Sequence, residues 1–191
     1  MLLHLPYLNI LRIEECSDLI LRCSSPDLLP CLASLETVSF RDCKIIGTLL
    51  EWLGDLTSLK TLEIANCQGA KALPESIQQL TRLRRLEIGG CPELVQLGCL
   101  PSLETLDVRN CETIAQLPLP DRLGDHTSLK ELMVCNCEAI KTLPESLQQA
   151  TCLQRLRISG CPGLVQWFKS EENKMKLAHI KEIVRALSIH R

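Results

Sequence analysis

Twelve cysteines and four histidines carry the most reactive side chains of this 191-residue chain. Metal ligation, disulfide bonding and thiolate chemistry compete for them. Seven of the cysteines (Cys16, Cys43, Cys67, Cys91, Cys111, Cys137 and Cys161) recur at intervals of 20 to 27 residues. Zinc ligands converge tetrahedrally from clusters such as C-x2-C, whereas thiols held at one slot of a repeat stand in single file, about 4.8 Å apart. Such a column does not converge on an ion, and its Cβ atoms keep the strand spacing rather than the roughly 3.8 Å of a disulfide. Unpaired thiols of this kind fit a reducing compartment, so a cytoplasmic location (cytosolic or nuclear) is expected. Cys23, Cys31, Cys99, Cys135 and Cys152 share no slot; Cys135 is expected to point outward as the most accessible thiol, most simply an inert one. His4, His126, His179 and His190 are scattered, with no H-E-x-x-H, serine elbow, P-loop or G-x-G-x-x-G. Gly89-Gly90 ends a strand and opens no phosphate-binding helix. The expectation is a chain with no catalytic residue, no metal and no cofactor.

The elements that set the cysteine spacing are repeats. Seven segments share the frame L-x-x-L-x-I-x-x-C: Leu8 to Cys16, Leu35 to Cys43, Leu59 to Cys67, Leu83 to Cys91, Leu103 to Cys111, Leu129 to Cys137 and Leu153 to Cys161. Repeat lengths of 20–29 residues with this frame are those of leucine-rich repeats. The fourth and sixth positions alternate inward on a short strand, and each coil covers its apolar face only by stacking on the next. The fold class predicted is α/β: a leucine-rich-repeat solenoid, a curved horseshoe with parallel strands on its concave face and short helices or irregular segments on the convex side. L-P-E-S-I-Q-Q-L (Leu73 to Leu80) and L-P-E-S-L-Q-Q-A (Leu143 to Ala150) place Pro at a turn before a short helix-like run. Residues 1–168 are expected to form about seven repeats. Residues 169–191 are expected to form a helical cap, because Ile180, Ile183, Val184 and Leu187 have helical spacing. The apolar stretch before Leu8 carries no cap of its own, which reads as a chain cut from something longer.

Composition excludes several classes. Leucine fills 38 positions, whereas the five aromatics and a formal net charge of −2 give neither a base-stacking platform nor a basic footprint for nucleic acid. No apolar run approaches the roughly 18 residues of a membrane span, and the amino end lacks the basic leader and cleavage site of a signal peptide.

A longer periodicity lies on top of the repeat. Residues 54–97 match 124–167 without a gap, with 27 of 44 positions identical. Of ten strand-face positions six differ, against eleven of the other 34. Drift at solvent positions would produce this, and so would a face that reads a partner. The outward residues are Thr61, Glu63, Ala65; Arg85, Glu87, Gly89; Thr105, Asp107, Arg109; Glu131, Met133, Cys135; and Arg155, Arg157, Ser159. Glu63, Glu87 and Asp107 should align as an acidic row offset by Arg85 and Arg109, with Arg155 and Arg157 making the last strand basic. These charges are either a solvated face of weak ion pairs or a protein-recognition surface. The candidate partner-binding residues are Glu63, Arg85, Glu87, Asp107, Arg109, Glu131, Arg155 and Arg157. Charge reversal at the arginines is expected to alter recognition while leaving folding intact.

The L-x-x-L-x-I-x-x-C frame, the L-P-E-S-[IL]-Q-Q segments and G-C-P-x-L-V-Q together resemble the C-terminal leucine-rich repeats of plant intracellular immune receptors. These are the nucleotide-binding leucine-rich-repeat disease-resistance proteins, especially the coiled-coil type of grasses. Trp167 followed by Lys176-Leu177-Ala178-His179-Ile180 is similar to the end of such receptors. The resemblance implies a cytosolic sensor whose repeats recognise a pathogen effector or a guarded host protein and restrain the nucleotide-binding switch. It departs from the family in that no coiled coil or nucleotide-binding module stands before Met1, so this chain by itself carries no nucleotide exchange. A scaffold or adaptor, such as the substrate-recognition repeats of a ubiquitin ligase, is the second reading.

Overall fold

The computed structural model describes residues 8–16, 33–44, 53–69, 71–94, 96–119 and 128–186. Eight five-residue strands form one sheet, all parallel and ordered as in the chain. They are β1 (Ile10–Glu14), β2 (Thr37–Arg41), β3 (Thr61–Ala65), β4 (Arg85–Gly89), β5 (Thr105–Arg109), β6 (Glu131–Cys135), β7 (Arg155–Ser159) and β8 (Glu182–Ala186). The register carries each frame position onto its counterpart. One inward row runs Leu62, Leu86, Leu106, Leu132, Leu156 and the next Ile64, Ile88, Val108, Val134, Ile158, and all ten side chains are buried. Identical slots occupied by similar aliphatic volumes are what let the coils superpose.

The column of frame cysteines is buried from Cys43 to Cys161, with Cys16 at its margin half-buried. Each thiol donates to the carbonyl two residues earlier, at 3.3 Å for Cys43, Cys91, Cys111, Cys137 and Cys161. Cysteine fits here because a small side chain can fill the narrow turn while satisfying a strand-end carbonyl. Burial pushes the Cys67 thiol up to about 12 and Cys91 to about 11. Among the described residues no cluster of His, Cys, Asp or Glu could hold a metal ion, and no helix is long and apolar enough to cross a membrane. Cys135 is not the most accessible thiol: it is half-buried, while Cys99 and Cys152 are exposed. Cys23, Cys31, His4, His126 and His190 lie outside the described residues.

On the return side, Pro74 and Pro144 lead into single 3-10 turns, Glu75–Gln79 and Glu145–Gln149, which bury Ile77 and Leu147. The segment after the seventh frame departs from the helical expectation. Two short helices, α1 (Pro162–Trp167) and α2 (Glu171–Lys176), precede β8. Ile180 lies in the connection, Ile183 and Val184 lie in the strand, and Leu187 falls outside the described residues. The spacing of these apolar residues suits a helix, but the open edge of β7 offers backbone partners that a new strand satisfies. β8 repeats the register, with Leu156 beside Ile183. At the next inward position, Ile158 is matched by Arg185, whose guanidinium lies 5.1 Å from the centre of the Phe168 ring.

Candidate functional site

The sheet face turned away from the core is built from three outward rows. The middle row places Ser39, Glu63, Glu87, Asp107, Met133 and Arg157 side by side. Glu63, Glu87 and Asp107 therefore stand on adjacent strands, as their spacing requires. Each has its own arginine. Arg41 Nη2 donates to Glu63 at 2.5 Å and Arg85 Nε to Glu87 at 2.6 Å; Arg109 grips both Asp107 oxygens, with Nε at 2.7 Å from Oδ1. Ser39 Oγ also donates to Glu63, at 3.0 Å. Adjacent carboxylates would otherwise repel, and the guanidiniums cancel that charge locally.

The basic character expected at Arg155 and Arg157 is corrected by this geometry. β7 is not the last strand, and Arg155 pairs with Glu182 of β8 at 3.1 Å while Arg157 pairs with Glu131 at 3.4 Å. The eight candidate residues thus pair among themselves, with Arg41 and Glu182 completing the set. Asp107 differs from the other acids because it is buried, at 1% exposure, beneath the half-exposed Arg109 side chain. The hydrogen bonds that Arg109 donates to Asp107 raise the pKa of its guanidinium. Reversing Arg109 would put a second carboxylate against a buried one, so folding would not be left intact at that position.

The third row runs Arg41, Ala65, Gly89, Arg109 and Cys135. Ala65 and Gly89 leave a depression of about 200 Å³, lined among others by Glu63, Glu87, Asp107, Arg109, Asn66 and Asn110. Beyond this row the chain turns through left-handed backbone at Asp42, Asn66, Gly90, Asn110 and Asn136, with φ between 52° and 59°. Their amides continue the sheet ladder: Asn66 N donates to Gly89 O at 2.7 Å and Asn110 N to Cys135 O at 2.9 Å. Asx and Gly residues tolerate that conformation. Sequence reasoning passed over Arg41 and these asparagines, yet the residue before six of the seven frame cysteines carries the signal: Asp42, Asn66, Gly90, Asn110, Asn136 and Gly160, with Glu15 before Cys16 the exception.

A second charged line borders the face. Lys60 pairs with Glu36 at 2.6 Å, and Glu104 is held between Arg84 and Lys130. The Lys130 and Arg84 contacts lower the Glu104 pKa. Rows of paired charge beside a shallow polar depression can orient a protein surface by hydrogen bonds and charge.

Comparison with known proteins gives the fold context. The model of the family described as "Leucine-rich repeat region" matches residues 1–189. The leucine-rich repeat domain of the type III effector XopL superposes with a TM-score of 0.59 at 22% identity, covering 97% of this chain and 71% of that one. An internalin from Listeria monocytogenes gives a TM-score of 0.48 at 14% identity, over 98% and 58% of the two chains. The plant peptide hormone receptor RGFR1, solved in complex with RGF2, gives 0.42 at 13%, over 93% and 31%. No curated protein matches the sequence.

Proposed function

Because the chain belongs to the leucine-rich repeat family, whose domains are generally protein-interaction modules without catalytic activity of their own, we propose that it is the recognition module of a plant innate-immune receptor. In this reading it works in the cytoplasm, where its open sheet face senses a pathogen effector or a guarded host protein. Within a longer receptor it also restrains the nucleotide-binding switch. The L-P-E-S-[IL]-Q-Q and G-C-P-x-L-V-Q segments support the receptor class.

The observation that carries the reading is where the duplicated blocks diverge. Six of ten strand-face positions differ between them, while the inward leucines of both copies stay buried in identical slots. Packing holds the scaffold, and the face is left to vary with a partner.

The experiment joins two measurements. The genomic sequence flanking the coding region is read for a nucleotide-binding module, and Arg85→Glu, Arg155→Glu and Arg157→Glu variants are scored for effector binding and immune output in the resulting full receptor. A nucleotide-binding module with charge-dependent output supports the proposal. An F-box or other ligase adaptor in its place, or output indifferent to all three reversals, overturns it.

A further inference from the structure

The return side of the solenoid carries a short backbone ladder of its own. Ala72 and Gln96 form a parallel bridge, in which Leu73 N donates to Gln96 O at 3.1 Å. One coil further on, Leu97 N donates to Pro118 O at 3.2 Å. In the duplicated block the counterparts of Ala72, Leu73, Gln96 and Leu97, each 70 residues later, are Thr142, Leu143, Gln166 and Trp167. Leu73 and Leu143 are both 6% exposed, and each leads through a proline into a 3-10 turn. Only their partners differ. Gln166 is wound into α1, where its carbonyl accepts from Lys169 N at 3.1 Å. Among the described residues no other carbonyl takes its place, so the Leu143 amide has no counterpart to the bond that Leu73 makes.

Where the second block lacks that extended segment it has a groove. The groove holds about 260 Å³ and is lined by Thr142, Leu143, Pro144, Gln148, Trp167 and Leu177, among others. Trp167 is half-buried and packs edge to face on the buried Phe168, 5.0 Å between ring centres, which fixes the indole as one wall. The first block shows what fits opposite such a leucine: an extended segment whose carbonyl accepts from the leucine amide and whose next side chain, Leu97, is buried. We infer that the groove is a docking site for an extended segment of a partner protein, which offers a carbonyl to Leu143 N–H and lays an aliphatic side chain against Trp167. Recognition of an extended peptide in this way draws affinity from the backbone bond and specificity from the side-chain pocket. The partner restores in trans the rung that the first block supplies in cis. The groove lies on the return side, away from the charged sheet face, so it stands or falls separately from recognition by that face.

The test uses the whole chain as bait for a phage-displayed random peptide library, with two variants for counter-screening. Trp167→Ala removes the wall. Thr142→Trp fills the groove from an exposed position, and it decides the matter should Trp167→Ala impair folding. The expected result is enriched peptides sharing an aliphatic residue, with affinity reduced about tenfold or more by either variant. The synthesised peptide should also move the Leu143 amide proton downfield in 1H–15N spectra of the wild-type chain, as a new hydrogen bond requires. No enrichment, enriched peptides without a shared aliphatic residue, an unmoved Leu143 amide, or affinity indifferent to Thr142→Trp overturns the site. If binding survives both groove variants but is lost in Arg157→Glu, the groove fails while recognition by the sheet face stands.

Discussion

Asp107 and Arg109 stand two residues apart on β5, and the arginine closes over the aspartate so that the acid is 1% exposed while the base remains half in solvent. The pair is a lid on its own strand. Arg109→Ala uncovers a carboxylate whose two oxygens accept from no other side chain among the described residues, and should cost about 1–3 kcal/mol in urea denaturation. Arg157→Glu breaks only an exposed pair and should stay within about 1 kcal/mol. Equal costs for the two variants would show that Asp107 does not depend on its cover.

The aliphatic rungs should govern stability. Leu86 and Leu106 are fully buried and adjacent in the register. Leu86→Ala and Leu106→Ala should each lose about 2–5 kcal/mol, and because the two side chains share one cavity, their effects should not add. A double-mutant cycle by chemical denaturation reads both points; strict additivity would argue against stacking in this row.

Two of the buried thiols, Cys67 and Cys91, set an alkaline limit. Burial raises the Cys67 and Cys91 pKa values from 9.0 to about 12 and about 11. A group with a raised folded pKa contributes its full stability below the unfolded value and loses it as pH climbs towards the folded one. Stability should therefore fall between about pH 9 and 12, and more gently in a Cys67→Ala/Cys91→Ala double variant. Parallel pH profiles for the two proteins would remove the thiols from the account.

Gly163 marks where the second block departs from the first. A Cβ at this position would meet Ile140 O at 2.7 Å and Lys141 Cα at 2.9 Å, both backbone. Gly163→Ala should destabilise by about 1–3 kcal/mol through overpacking, seen as a lower melting temperature. Its counterpart in the first block is Glu93, which tolerates a full side chain, so Glu93→Ala should be nearly silent. An equally silent Gly163→Ala would mean that α1 does not press on residues 140–141.

The leucine frame was sufficient to specify the repeat, the inward rows and the alignment of Glu63, Glu87 and Asp107, because each follows from period-two strands stacked at a fixed frame position. The same frame placed the cysteines in one buried column. Other features depended on neighbours that spacing does not encode. Ile183 and Val184 have a helical pattern, yet the unpaired edge of β7 drew them into a strand. Asp107 is buried and Glu87 is not, because Arg109 folds back over one while Gly89 stands in the matching place beside the other. Local sequence determined which atoms lie on which face; contact between coils decided which charges are covered and where the sheet gains its eighth strand, since each depends on the geometry of an adjacent turn of the solenoid.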